Sequence, residues 1–414
     1  MRYRKADIYA PVKKDLRVEF TETGLTSYSG LELLIRYFRS IRFNDLIRRH
    51  FNGIPFKGDY SVVAMVRLVL GLLIIGGRRL GHVDFLRGDV LFLRFCGLSR
   101  LPSTRTVSRW LKNFKMAWLV PLQTINAEII AQTVRKLPLR TLSIDVDGSV
   151  VSTGLKVARA FRGFNPHRRK VHSYYPITAH LSETGHVLRV KNRPGNVHDG
   201  KASLSFLRDI FTQVGSTMSE GYRLNFRMDS AFFDAPVIRL LKSKGAGYTI
   251  KVPFWQWVGL KPLIEQRRRW KRIDHRIQCF EKEIHLAPWN TTLRVVIYRK
   301  RVHHKTRKNY QLDLFDPDNG HYEYSAVATN LPWTPRNIWN FMCGRGAHEK
   351  AIGELKSGLA FDTIPTNAYG ANSAWQQFVV LAHNLLTNFQ IDTGAPKRKT
   401  SSKRTARFIL KSIQ

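Results

Sequence analysis

Apolar residues recur at three- and four-residue spacing through the first third of the chain. Leu31-Leu34-Ile35-Phe38, Val62-Val66-Leu70 and Leu111-Phe114-Trp118 all follow this pattern, which is the period of helices that bury one face. Val62 to Ile75 is the most apolar stretch. Arg67 interrupts it, and only Leu68 to Gly77 is free of charge. That is too short to cross a bilayer, so a buried helix is expected and no membrane contact. A further segment has helix-turn-helix form. Val90 to Cys96 predicts a helix and Gly97 to Pro102 a turn. Ser103 is then the N-cap of a second helix carrying Arg105, Arg109 and Lys112. Those three cations face phosphate or base edges if the segment reads DNA. An ordinary core helix with a basic outer face fits the same pattern.

From Thr141 the pattern changes to short apolar runs. Leu142 to Asp147 predicts a strand. Tyr175 to Leu181 and His186 to Lys191 predict a hairpin through Ser182-Glu183-Thr184-Gly185. Gly200 to Phe211 reads as a helix, Leu224 to Asp229 as a strand, Pro236 to Lys244 as a helix and Tyr248 to Val252 as a strand. Three strands, then helix-strand-helix-strand, is the order of a mixed α/β sheet with helices packed on it, the order of an RNase H-like core. Residues 255 to 334 break that rhythm with Trp255, Trp257, Trp270 and Trp289, the basic run Arg267 to Arg272, and strand-like Leu293 to Tyr298 and Tyr322 to Thr329. A β-rich insertion is expected there. Two helical stretches follow, Asn337 to Gly358 and Ser373 to Phe389.

The expected organisation is a helical DNA-binding region over 1–138, a core in two parts over 139–254 and 335–390, the insertion over 255–334, and a basic tail over 391–414. The tail, Lys397-Arg398-Lys399-Thr400-Ser401-Ser402-Lys403-Arg404, is polar and cationic and is expected to order only on binding.

Charge narrows the function. The 414 residues carry 68 Lys and Arg against 30 Asp and Glu, a net +38. Charge of that size, spread along the whole chain, repels itself unless a polyanion offsets it. Nucleic acid is the expected partner, ahead of a ribosomal or membrane-surface role. Apolar residues make up 43%, ordinary for a protein with a real core. Cys96, Cys279 and Cys343 are far apart and form no C-x-x-C, so neither a disulfide framework nor a zinc site is expected, and a reducing cytoplasm fits. The start, Met1 to Asp7, has no apolar run, so no signal peptide is expected.

Against this basic background three acids stand out. Asp147 closes one strand-like run and Asp229 a second; Glu349 lies on a helix-like stretch with Arg345 and Lys356. Two hard divalent cations about 3.5–4 Å apart clamp an in-line displacement at phosphorus, and they take carboxylate oxygens. Ser143, Asp145 and Asp147 share one strand face. Two aspartates there repel each other unless a cation is near. Asp147 is preferred over Asp145 because Gly148-Ser149 lets it project from the strand end. Asp229 has the alternative of a helix N-cap, a role that Asp234 before Pro236 fits better. Arg345 and Glu349, four apart, also suit a surface ion pair.

The segment Phe341-Met342-Cys343-Gly344-Arg345-Gly346-Ala347-His348-Glu349 to Lys356 resembles the Tyr-Arg-Glu-Lys signature of bacterial insertion-sequence transposases of the DDE type. Arg345, Glu349 and Lys356 match its spacing, while Met342, beside Phe341, stands at the Tyr position. Asp147-Gly148-Ser149 resembles the family's Asp-Gly-Thr block. Arg227-Met228-Asp229-Ser230-Ala231-Phe232 resembles its Arg-Ala-Asp-Ser-Gly-Phe block. The stretch Pro176 to Asp199 is similar as well. The resemblance spans about residues 140 to 390, and the long gap between Asp229 and Glu349 is where similar transposases carry a β-rich insertion.

The resemblance implies a cut-and-paste transposase that binds its terminal inverted repeats and target DNA as double strands, as a homodimer. It implies Asp147, Asp229 and Glu349 as catalytic metal ligands for two Mg2+ ions, with Mn2+ as a substitute. Arg345 and Lys356 would hold phosphates beside the cleaved bond. Trp255, Trp257 or Trp289 would either stack on a flipped base or pack in the β surface. Two other classes are a catalytically silent DNA-binding derivative, against which the intact acidic trio speaks, and a structure-specific nuclease, against which the Arg-Glu-Lys block speaks.

Overall fold

The computed structural model describes residues 26–154, 156–163, 170–197, 199–218, 221–302 and 322–394. The basic stretch Lys397 to Arg404 lies outside them.

Helices come first: α1 (Leu31–Ser40), α2 (Phe43–His50), α3 (Val62–Ile74), α4 (Val90–Cys96), α5 (Thr104–Lys112) and α6 (Val120–Val134). α1 buries Leu31, Leu34, Ile35 and Phe38, the face its spacing predicts. α3 starts at Ser61, whose hydroxyl accepts from the Ala64 amide, and it is buried from Ala64 to Ile74. No helix among the described residues is long and apolar enough to cross a membrane. α4 stops at Gly97 in the left-handed region, φ 72°. α5 opens on Ser103, which accepts from the Thr106 amide. The turn and caps expected between Val90 and Lys112 are therefore present.

The strands β1 (Thr141–Gly148), β2 (Val151–Ser152), β3 (Ser173–Tyr174), β4 (Ile177–Leu181) and β5 (Val187–Lys191) precede α7 (Asp199–Thr217). Then come β6 (Arg223–Met228), α8 (Ala235–Ser243), β7 (Gly247–Lys251) and α9 (Leu260–Glu265). β8 (Lys271–Arg272), β9 (Ile277–Leu286), β10 (Thr291–Arg301) and β11 (Tyr322–Thr329) follow. The last elements are α10 (Pro335–Cys343), α11 (Gly346–Leu359) and α12 (Tyr369–Asp392).

Among the described residues, nine strands form one sheet in the order β5-β4-β1-β6-β7-β11-β10-β9-β8. β4 runs antiparallel to β1 and β5 antiparallel to β4; β6 is parallel to β1, and β7 parallel to β6. An antiparallel trio followed by two parallel strands reached through α7 and α8 is the expected RNase H-like arrangement in a mixed α/β fold. The β-rich segment adds its strands to this same sheet. β11 pairs antiparallel with β7, and β10 and β9 continue outward. The sheet is thereby widened on the side away from β5.

The helical first part is not packed as a body apart. Its apolar faces share one core with Leu355 and Leu359 of α11 and Trp375 and Phe378 of α12. A second core fills the sheet and its helices, with Val146, Phe226, Ile250, Phe206 and Val237. A small third core joins the added strands to α10 through Val296, Val327, Ile338 and Met342.

β5 is an edge strand, and its backbone would be left open to other strands. Amide side chains close it. Asn384 of α12 accepts from the Val187 amide (2.9 Å) and donates to the Val187 carbonyl (2.8 Å). Gln377 donates to the Val190 carbonyl (2.9 Å), and Gln213 and Asn126 donate to that of Leu188 (3.0 and 3.2 Å). These bonds explain why a largely buried helix carries Asn and Gln.

Candidate active site

β1 and β6 are neighbours, with Asp145 opposite Arg227 in the parallel register. Their C-terminal ends therefore deliver Asp147 and Asp229 to the same end of the sheet, where open α/β sheets hold ligands. Asp147 Oδ1 accepts from the Gly148 amide (2.9 Å), and its Oδ2 accepts from Arg345 Nη2 (2.6 Å). Asp229 Oδ1 accepts from the Ala231 amide (3.0 Å), and its Oδ2 lies 3.9 Å from the same Nη2. Asp229 thus does act as an N-cap, on the short 3-10 turn Ser230–Phe232, whereas the Asp234 side chain makes no cap bond. Only one of its oxygens is used in that way.

The third acid comes from a break in a helix. One continuous stretch is expected from Asn337 to Gly358, but the chain bends between α10 and α11. Arg227 packs against this break. Its Nη1 donates to the Phe341 carbonyl (2.8 Å), and a Cβ on Gly344 would come within 2.1 Å of it. Its guanidinium carbon also lies 4.8 Å from the centre of the Phe341 ring. The bend places Arg345 just ahead of α11 and Glu349 in its first turn. Arg345 Nη1 lies 4.0 Å from Glu349 Oε1. One guanidinium, 13% exposed, therefore faces all three carboxylates; Asp147 and Asp229 are 21% and 31% exposed and Glu349 is 70% exposed.

Asp145 is different. It is fully buried and held by both ends of Arg227, Nε to Oδ1 at 2.6 Å and Nη2 to Oδ2 at 2.7 Å. Burial pushes its carboxyl up, but the contacts of His180 and Arg227 outweigh that and hold it below the usual range. The cation expected beside Asp145 and Asp147 is thus an arginine for each. Arg227 also donates to Ser182 Oγ (2.7 Å), so one side chain joins β6, β1, the β4–β5 turn and the end of α10.

Two buried histidines lie beneath the site. His180 Nδ1 is 3.6 Å from Asp145 Oδ2, and its ring packs edge-on to that of His348, 5.6 Å away. Thr178 Oγ1 donates to the Asp147 carbonyl (3.3 Å) and contacts His348 Nε2 (3.1 Å). Burial first, and then the neighbouring His180, push the His348 imidazole down from the ordinary 6.5 to about 3, so it is neutral. His180, Thr178 and His348 were given no role by motif or spacing. Arg227 opens the block Arg227-Met228-Asp229-Ser230-Ala231-Phe232, which was the usable signal, but it was given no role of its own.

The other expected residues are placed as follows. Lys356 Nζ donates to the Val150 carbonyl (2.9 Å), in the loop that follows Asp147. Burial lowers its ammonium from the ordinary value. Arg105, Arg109 and Lys112 are exposed on one face of α5, while Val107, Trp110 and Leu111 are buried. Trp255 and Trp257 are 45% and 42% exposed and stack at 5.6 Å; Trp289 meets Trp257 edge-on at 5.2 Å and Phe233 at 4.8 Å. Phe233 follows Asp229 by four residues, so this aromatic surface borders the site.

Three carboxylates from three elements, turned toward one positive charge, are a donor set suited to a hard divalent cation. As they stand, no three His, Cys, Asp or Glu side chains among the described residues lie close enough together to hold one ion.

A family model described as Transposase DDE domain group 1 matches residues 10–413. No curated protein matches the chain. Among solved structures, the chain is similar to a piggyBac transposase synaptic complex with hairpin DNA. The identity is 11% and the TM-score 0.47, over 95% of this chain and 81% of that one. It is also similar to a Mos1 transposase paired-end complex with left transposon end, at 10% identity and TM-score 0.21, over 53% of this chain and 66% of that one.

Proposed function

The chain belongs to the family of the transposase DDE domain, group 1, and is thus a DNA-cleaving transposase; from that premise we propose that it moves its own element by cut-and-paste chemistry at terminal inverted repeats. Asp147, Asp229 and Glu349 are the residues that hold divalent cations in this reading, Mg2+ by preference and Mn2+ as a substitute. Bound there, such ions supply the charge that activates water and stabilises in-line displacement at phosphorus.

The chain's own residues do the rest. Asp147 and Asp229 sit at the ends of adjacent parallel strands, so their spacing is fixed by the sheet. Arg345 exchanges its carboxylate partners for a phosphate oxygen beside the cleaved bond, where a bidentate guanidinium suits the geometry. Lys356 holds the loop after Asp147 and offers a second charge. Arg105, Arg109 and Lys112 track the duplex further out. A homodimer pairs two element ends. Trp255 and Trp257, exposed beside the site, would stack on an unstacked base if one leaves the duplex there, or else serve the β surface.

The observation that carries this reading is that one guanidinium faces the three acids. The test is strand transfer. Purified protein is given a duplex ending in a pre-cut element end with a free 3′-OH, and a supercoiled target. Joined product with Mg2+, and none with a chelator, is expected. Hydrolysis without joining would instead support a structure-specific nuclease.

A further inference from the structure

Arg67 is a cation in the wrong place for stability. It lies on α3 and is 9% exposed. No carboxylate pairs with it among the described residues. Its guanidinium rests over the Phe95 ring, 5.1 Å from the centre, and its buried Nε has no hydrogen-bond partner. The Cys96 thiol nearby is pushed up to about 12 by burial, so no thiolate neutralises it. The charge of Arg39 opposes it further. A buried charge without a partner is costly, and arginine does not escape the cost by losing its proton.

Arg67 opens onto a cavity of about 570 Å³ whose wall includes Asn44, Arg48, Ser61, Val63 and Cys96. Two features of this wall favour an anion. Val62, Val63 and Ala64 line it, so the start of a thirteen-residue helix faces it. The Val62 and Val63 amides have no acceptor within the helix, and the helix dipole is positive at that end. Arg48 brings a second guanidinium, which is exposed and bonds Asp45 at 2.9 Å.

We propose that this cavity binds a phosphate group, with Arg67 as its buried counter-charge, at a site separate from the acidic trio. The phosphate comes either from the DNA backbone or from a free phosphate in solution. The first is geometrically natural. Gly97 also lines the cavity and opens the turn that leads to α5 with its exposed Arg105, Arg109 and Lys112.

The experiment compares the full chain with Arg67→Met, which keeps the apolar stem and removes the charge. Thermal melting is followed against inorganic phosphate at constant ionic strength. The wild type should gain melting temperature saturably. Arg67→Met should melt no lower than the wild type in phosphate-free buffer and should lose the saturable gain. An equal response in both proteins overturns the proposal. If Arg67→Met does not fold, Arg48→Gln on the rim serves instead. It should weaken half-saturation by phosphate at least threefold, and unchanged half-saturation overturns the proposal. Salt dependence of duplex binding separates the sources. A DNA phosphate in the cavity makes the slope of log K against log salt shallower by about 0.9 in Arg67→Met. A free phosphate leaves that slope unchanged while the melting response is still lost.

Discussion

Arg345 Nη2 lies 2.6 Å from Asp147 Oδ2, the shortest of the contacts that this guanidinium makes with the three acids. The acid at the end of β1 is thus already neutralised by a residue four positions before Glu349. On the proposed reading, a divalent cation would compete with Arg345 for this carboxylate, and a DNA phosphate that draws Arg345 away would free it.

Arg345→Gln should therefore bind Mn2+ more tightly than the wild type when no DNA is present. A charged hydrogen bond contributes about 1.5–3 kcal/mol, so a gain of about tenfold or more is expected by calorimetric titration. The same variant should cleave about 10²–10³-fold more slowly, as when one electrostatic contact to a transition state is lost. Weaker Mn2+ binding by the variant would mean that Arg345 organises the acids rather than competing for them.

Asp145 and Asp147 should separate cleanly by stability. Asp145→Asn leaves Arg227 buried with half its partner gone, and breaking such a pair costs about 3–5 kcal/mol. Asp147→Asn disturbs a more exposed pair and should cost about 1 kcal/mol or less. Urea unfolding of the two variants measures the difference. Equal losses would place the two aspartates in one structural network and undo the distinction.

The reasons for this contrast bear on what the sequence made legible. Alternation put Asp145 and Asp147 on one face, and the glycine after Asp147 favoured it as the outer ligand. The strand order followed from run lengths and turns. β9 went unread because its pattern of buried and exposed positions does not alternate. The break before α11 was not read, although Gly344 and Gly346 flank it, and its contact with Arg227 joins elements distant along the chain. Nor does the local sequence tell that the β-rich segment widens the central sheet. Its pairing with β7 is a contact between elements distant along the chain.

Lys356 should show a mixed effect. Its bond to the Val150 carbonyl contributes about 1 kcal/mol, so Lys356→Met should lower the melting temperature slightly. Cleavage per folded molecule should fall at least tenfold, since the loop after Asp147 loses its tie and the site a charge. A lower melting temperature with unchanged specific activity would reduce Lys356 to a structural role.

Buried histidines should set the acid limb of stability. His383 Nε2 donates to the Gly185 carbonyl (3.0 Å). Burial lowers its imidazole from the ordinary 6.5; Glu354 opposes the shift and His180 adds to it. The folded protein resists protonation while the unfolded imidazole accepts it below 6.5, so stability falls as the pH drops through that value. His348, held near 3, acts with the same sign. His383→Asn should flatten the fall in urea midpoint between about pH 7 and about pH 5.5. An unchanged fall would remove His383 as a contributor.

The most direct measurement is cleavage of an element-end duplex by Asp147→Asn, Asp229→Asn and Glu349→Gln, each beside Glu354→Gln and with end binding measured in parallel. All three of the first set should bind the end as the wild type does and cut it at less than about one hundredth of its rate, while Glu354→Gln cuts normally. Normal cutting by Glu349→Gln, with loss in Glu354→Gln, would contradict the assignment of the acid that faces Arg345 from α11.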